Sequence, residues 1–87
     1  SGIDASMYFK FKTDTTDISQ IFDSSVVDAA KFQNGFTLNT IKNVKWWDVK
    51  NKDLLGGQVS LPNAKYMNVG IEKTEKGYTV YIMWFET

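Results

Sequence analysis

The chain has 87 residues, 43% of them hydrophobic and 15% aromatic, and its ten lysines balance ten carboxylates to a net charge of zero. It contains no Cys, no His and no Arg. Those absences exclude disulfides, thiolate and imidazole catalysis and most zinc and haem sites, and they remove the planar guanidinium that grips phosphate or guanine.

A chain of this length makes one domain and buries about 60–65% of the surface its unfolded form exposes. Three Trp, four Tyr and six Phe suit a small core, because each ring buries about 150–250 Å². No apolar run approaches the roughly 20 residues of a membrane span, and nothing at the start reads as a secretory leader. Residues 1–6, before Met7, read as an expression-tag remnant, which leaves residues 7–87 as a single domain. With neither leader nor Cys, the expected location is the cytoplasm. A composition rich in Lys and Asn but free of Arg is of the kind found in bacteria and phages with AT-rich genomes.

The first element is Met7-Tyr-Phe-Lys-Phe-Lys12. It alternates, with Met7, Phe9 and Phe11 on one face and Tyr8, Lys10 and Lys12 on the other, and it predicts a half-buried strand. Asp14-Thr-Thr-Asp-Ile18 then offers a helix start, with Asp14 or Thr15 as cap and Asp17 at the positive end of the dipole. Ile18, Ile21, Phe22, Ser25, Val26 and Ala29 follow at helical spacing, which predicts a helix that stops at Asn34-Gly35. A rival reading ends the helix near Ser24 and makes Asn34-Gly35 the turn of a hairpin between 26–33 and 36–41. The unbroken stripe through Ala29 favours the longer helix.

From Phe36 onward the pattern is that of strands. Thr37-Leu38 begins a short one, and Val44–Lys50 and Leu54–Leu61 flank Asn51-Lys52-Asp53 as the arms of a hairpin. Gly56-Gly57 marks a bulge or a close approach by another backbone, and Pro62 ends the arm. Tyr66–Lys73 and Tyr78–Glu86 form the last hairpin, joined by Thr74-Glu-Lys-Gly77 with Gly77 in a left-handed position. Its second arm carries Tyr78, Val80, Ile82 and Trp84 on one face and Tyr81, Met83 and Phe85 on the other, which places it inside the sheet. The expected fold is α+β: one N-terminal helix packed on a mainly antiparallel sheet of four to six strands, in the order β-α-β-β-β-β.

Charge is unevenly spread. Residues 41–65 hold five Lys and two Asp, net +3, whereas residues 1–40 are net −2 and residues 66–87 net −1. Within the basic stretch, Lys42, Lys45, Trp46, Trp47, Lys50 and Lys52 interleave cations with indoles. Such a surface suits single-stranded nucleic acid, where Lys tracks phosphates and each stacked ring contributes about 1–3 kcal/mol. A simpler reading is that Trp46 and Trp47 point to opposite faces of a strand, so that one belongs to the core while the lysines guard an edge. An indole exposed among lysines would mark a partner site, since Trp is enriched at binding hot spots. Carbohydrate stacking, with Asp48 and Asn51 as polar contacts, is a third reading.

The remaining candidates are weaker. Asp14, Asp17, Asp23 and Asp28 read as a solvated helix face on a chain too neutral to imitate DNA. Asp48 with Asp53, and Glu72, Glu75 and Glu86, are close only in sequence and define no acid–base pair. The expectation is therefore a non-catalytic interaction module, an inhibitor or adaptor that binds a larger protein through Lys42, Lys45, Trp46, Trp47, Lys50 and Lys52, with no cofactor or metal. The alternative is a weakly specific single-stranded nucleic-acid binder using the same surface. An edge strand, Met7–Lys12 or Leu54–Leu61, offers a route to a homodimer.

Overall fold

Alternating apolar residues, rich in β-branched and aromatic side chains, drive most of the chain into strands. A computed structural model describes residues 2–87, so Ser1 of the supposed tag lies outside the described residues. Its strands are β1 (Ala5–Thr13), β2 (Gln33–Phe36), β3 (Leu54–Leu61), β4 (Lys65–Lys73) and β5 (Tyr78–Glu86). They form one five-stranded sheet in the order β1-β5-β4-β3-β2. Every neighbouring pair is antiparallel.

β5 lies inside the sheet, as its two-sided apolar pattern requires, between β1 and β4. One face gathers Val69, Ile71, Tyr78 and Val80, covered by Ile18, Ile21, Phe22 and Phe32 from the chain between β1 and β2. The opposite face gathers Leu54 and Tyr81 under Leu38, Trp47 and Val49 from the chain between β2 and β3. β2 is where the chain passes from one face to the other, for Phe32 packs with the first cluster and Phe36 with the second.

The α+β expectation is wrong, because no α-helix forms over 18–33. That stretch holds only two single 3₁₀ turns, Ile18–Gln20 and Ala29–Lys31. Aspartates supply the cause. Asp17 accepts from the backbone N–H of Ser19 at 3.0 Å, Asp23 from that of Ser25 at 2.9 Å, and Asp28 from that of Ala30 at 3.1 Å. Each is a local side-chain-to-backbone bond that satisfies the chain without a helix ladder. The stripe fails with them: Val26 is 51% exposed, and its neighbour Val27 is buried instead. The rival hairpin reading fails too, since Asn34-Gly35 falls within β2, where the register with β3 shifts and Gly35 takes φ +79°.

The hairpin placed at Asn51-Lys52-Asp53 does not form either. Val44–Lys50 is a series of turns, Thr37-Leu38 is not a strand, and β3 pairs with β2 and β4. Of the glycine readings, one alternative holds at Gly56 and the left-handed role at Gly77 fails. Gly56 sits in an unbroken β3–β4 register, and a Cβ there would collide with the Val69 carbonyl, so it serves close approach and not a bulge. Gly77 has no positive φ; a side chain there would strike the Thr13 backbone at the end of β1. β1 alternates as expected, yet its faces are inverted in exposure. Met7, Phe9 and Phe11 are 50%, 45% and 41% exposed, while Tyr8 and Lys10 are half-buried.

The turn between β3 and β4 places Asn63 at φ 64° and Ala64 at φ 56°. Asn tolerates that left-handed region, but the Cβ of Ala meets its own carbonyl there. Ala64→Gly should therefore raise unfolding free energy by about 0.5–1 kcal/mol, read as a higher urea midpoint with an unchanged slope. The opposite change at Gly56, to Ala, should lower the midpoint sharply.

Candidate binding surface

The loop 37–53 has no regular secondary structure, so side chains must hold it. Leu38, Trp47 and Val49 are buried and dip onto the sheet face carrying Leu54 and Tyr81. Trp47 is the anchor. Its indole Nε1 donates to the Asn39 carbonyl at 2.9 Å. Its ring meets Tyr8 edge-on at 5.0 Å and Tyr81 at 5.6 Å between centroids. Short turns close the backbone between these points, from the Val44 N–H to the Ile41 carbonyl, from Trp47 to Val44 and from Lys52 to Val49. Asn43 and Asn51 take φ 65° and 59° at the corners, a conformation Asn accepts better than most residues.

A polar cluster ties the same loop to the sheet. The Tyr81 hydroxyl donates to Asp48 Oδ1 at 2.9 Å and accepts from Lys52 Nζ at 3.0 Å. Lys10 of β1 donates to the same Asp48 oxygen at 2.9 Å, and Lys52 also reaches Glu72 of β4 at 3.0 Å. Both ammonium groups lie 5.4 Å from the centre of the Tyr81 ring; Lys52 reaches it from the hydroxyl end. The Lys10 hydrogen bond, seconded by the Tyr81 hydroxyl and the Lys52 charge, holds the Asp48 carboxyl well below the usual range against a partial desolvation. The Tyr81 hydroxyl and Glu72 push Lys52 upward, while burial raises Tyr81. Charges fixed in this way latch a loop. Among the described residues, no group of three or more carboxylates is placed to hold a metal ion.

The six residues singled out from sequence separate into two groups. Trp47 is buried, and Lys52 is drawn into the Tyr81 cluster. Trp46 is 50% exposed, and Lys42, Lys45 and Lys50 are exposed on the same loop without ion-pair partners among the described residues. Trp46 is not loose, because its ring meets Trp47 edge-on at 6.1 Å. An exposed indole thus rests on a buried one that is pinned from three sides.

Sequence reasoning missed two features. One is the Lys10–Asp48–Tyr81–Lys52–Glu72 cluster, which joins residues far apart in the chain and leaves no local pattern. The other is the outer apolar surface. The sheet register aligns Met7 with Trp84 and Trp84 with Met67, and aligns Phe9 with Ile82. Trp84, Ile82 and Met67 are only half-buried, so an apolar band runs from the edge strand inward. The signal was present in the alternation of β1, but which face meets solvent depends on what covers the sheet.

Comparison with protein-family models, curated proteins and solved structures finds no match to the chain. Among the described residues, no helix is long and apolar enough to cross a membrane.

The two indoles should respond oppositely to truncation. Trp47→Ala should cost about 3–5 kcal/mol, the usual range for a buried ring, whereas Trp46→Ala should cost less than about 1 kcal/mol, both by denaturant unfolding. Acid should probe the latch. A carboxylate whose folded pKa is depressed stabilises the fold above its unfolded value of about 3.9, and that contribution is lost as pH falls through the folded value. Tm should therefore drop as pH falls below about 4, and Asp48→Asn should flatten part of that drop. Asp17 and Asp23, held low by the hydroxyl and N–H of Ser19 and Ser25, would keep their share of it.

Proposed function

We propose that the protein is a non-catalytic interaction module of the cytoplasm, an inhibitor or adaptor that seats a larger protein on the Trp46 side of loop 37–53. One observation carries the reading: Trp46 is half-exposed while held edge-on against a buried, hydrogen-bonded Trp47. An aromatic anchor already fixed before contact loses little conformational freedom on binding, and this is the property of a hot-spot residue. The surrounding Lys42, Lys45 and Lys50 are exposed. They suit a partner with an apolar socket and an acidic rim, because rim charges raise the encounter rate more than they lengthen the lifetime.

The nucleic-acid alternative draws on the same lysines. It is favoured less, because sequence-tolerant binding of a single strand stacks successive bases on successive rings, and burial of Trp47 leaves one indole on this loop.

Two experiments separate the readings. Immobilised protein incubated with lysate of its source organism should retain a partner that Trp46→Ala binds on the order of 30-fold more weakly, while the variant stays folded at the assay temperature. Lys45→Glu with Lys50→Glu should slow association and weaken its salt dependence. A partner held equally well by Trp46→Ala would place the contact elsewhere. Binding of a labelled oligonucleotide that falls steeply with salt and vanishes in the double lysine variant would replace the protein reading with the nucleic-acid one.

A further inference from the structure

We infer that β1 pairs with β1 of a second copy of this chain, antiparallel across a two-fold axis at Phe9, and joins two sheets into one. The edge adjoins loop 37–53, whose Asp48 holds Lys10 and whose Trp47 meets Tyr8, but the pairing makes no use of the Trp46 side chain.

The two edges of the sheet differ. The β2 edge has four residues, a shifted register and a left-handed glycine, Gly35. Short length and a bulge are standard means of blunting an edge. The β1 edge has nine residues paired with β5 without interruption, and it contains no proline. Among the described residues, no backbone hydrogen bond reaches its outer side from another segment. Of its two lysines, Lys10 is already neutralised by Asp48. A long regular strand without such protection is a template for another strand.

The chain's own sequence supplies the matching strand. A two-fold axis perpendicular to the sheet keeps the same face up in both copies, so residues of equal parity stand opposite each other. With Phe9 on the axis all nine residues pair, Ala5 with Thr13 of the second copy and Ser6 with Lys12. Met7 then faces Phe11, Tyr8 faces Lys10, and Phe9 faces itself. Apolar residues meet apolar ones on one side of the sheet: an aromatic pair at the centre is flanked by two Met–Phe pairs, both favourable cross-strand combinations. On the other side each lysine meets a neutral polar or aromatic residue.

Neighbouring registers are worse. Sliding by two residues one way sets Lys10 directly against Lys10. Sliding the other way puts Tyr8 on the axis, sets Phe11 against Ala5 and Lys10 against Ser6, breaks the central Phe9 pair, and carries Lys12 and Thr13 past the end of β1 to stand opposite Asp4 and Ile3. The favoured register also covers part of the exposed Met7, Phe9 and Phe11 surface, which otherwise faces water beside Ile82 and Trp84.

Because the chain has no cysteine, single introduced thiols report the register directly. Opposed strand residues have Cα atoms about 4.5–5.5 Å apart, within disulfide range, whereas Phe11 and its twin would lie about 13 Å apart. Wild-type protein should sediment as a dimer that dissociates on dilution, and Phe9→Glu should sediment as a monomer with an unchanged β-sheet circular dichroism spectrum. Under mild oxidation Phe9→Cys should form a covalent dimer. Phe11→Cys alone should form none beyond the level of Lys50→Cys, yet a mixture of Met7→Cys and Phe11→Cys proteins should cross-link. A wild-type chain that stays monomeric up to its solubility limit would overturn the inference. So would a dimer that survives Phe9→Glu, or one in which Phe9→Cys cross-links no better than Lys50→Cys. None of these results bears on the Trp46 contact.

Discussion

The side chain of Tyr81 is the point on which the arrangement depends. It rises from the interior strand β5, and its ring is 1% exposed. Trp47 meets the ring edge-on, Lys10 lies 5.4 Å from its centre, and the hydroxyl joins Asp48 to Lys52. Loop 37–53 makes no strand pairing of its own and would otherwise spread over the sheet in many ways. One rigid phenol in an interior strand gives that loop a single seat, and the buried polar atom finds both a donor and an acceptor there. Burial of a hydroxyl is tolerable only under that condition.

From this seat the exposure of the aromatic pair follows. Trp47 turns inward because Tyr8 and Tyr81 leave an edge-on slot for it, and the Asn39 carbonyl completes its hydrogen bonding. Trp46, next in sequence, then has no slot and lies over its neighbour. An exposed indole carried by a rigid base differs in kind from one on a mobile tip, since its position is set by the sheet beneath. The same logic applies to Lys52: it is structural because it reaches the phenol, while Lys42, Lys45 and Lys50 remain free to meet another molecule.

The strands that could be read from sequence are those whose pattern is local. β5 shows apolar residues on both faces and β1 alternates strictly; both lie where that reading put them, as does the turn joining β4 to β5. The helix failed because three aspartates, Asp17, Asp23 and Asp28, each followed two positions on by a residue whose N–H they accept, outcompeted a helical stripe that looked complete. Within that stretch the competition was visible in the spacing Asp-x-Ser, at Asp17 and at Asp23. Trp47 and Val49 share a face just as residues two apart in a strand would, so their pattern does not distinguish Val44–Lys50 from a strand; the turns closed at Val44, Trp47 and Lys52, with Asn43 and Asn51 at the corners, do. For the candidate surface, adjacency of two indoles with lysines was readable, whereas the identity of the exposed one depended on Tyr8 and Tyr81, distant in the chain.

The pairing of β1 with β5 joins the first and last strands of the sheet in chain order, and so closes the longest loop among the strand pairs. The β4–β5 hairpin closes across the short turn 74–77 at small entropic cost, and β3 adds to it through the turn at Asn63 and Ala64. β1 must find β5 across nearly the whole length of chain, so loop closure delays it and slows the overall rate. Until it arrives, β5 presents an open edge with apolar rings on both sides. An unpaired apolar edge of that kind is one at which neighbouring chains associate irregularly.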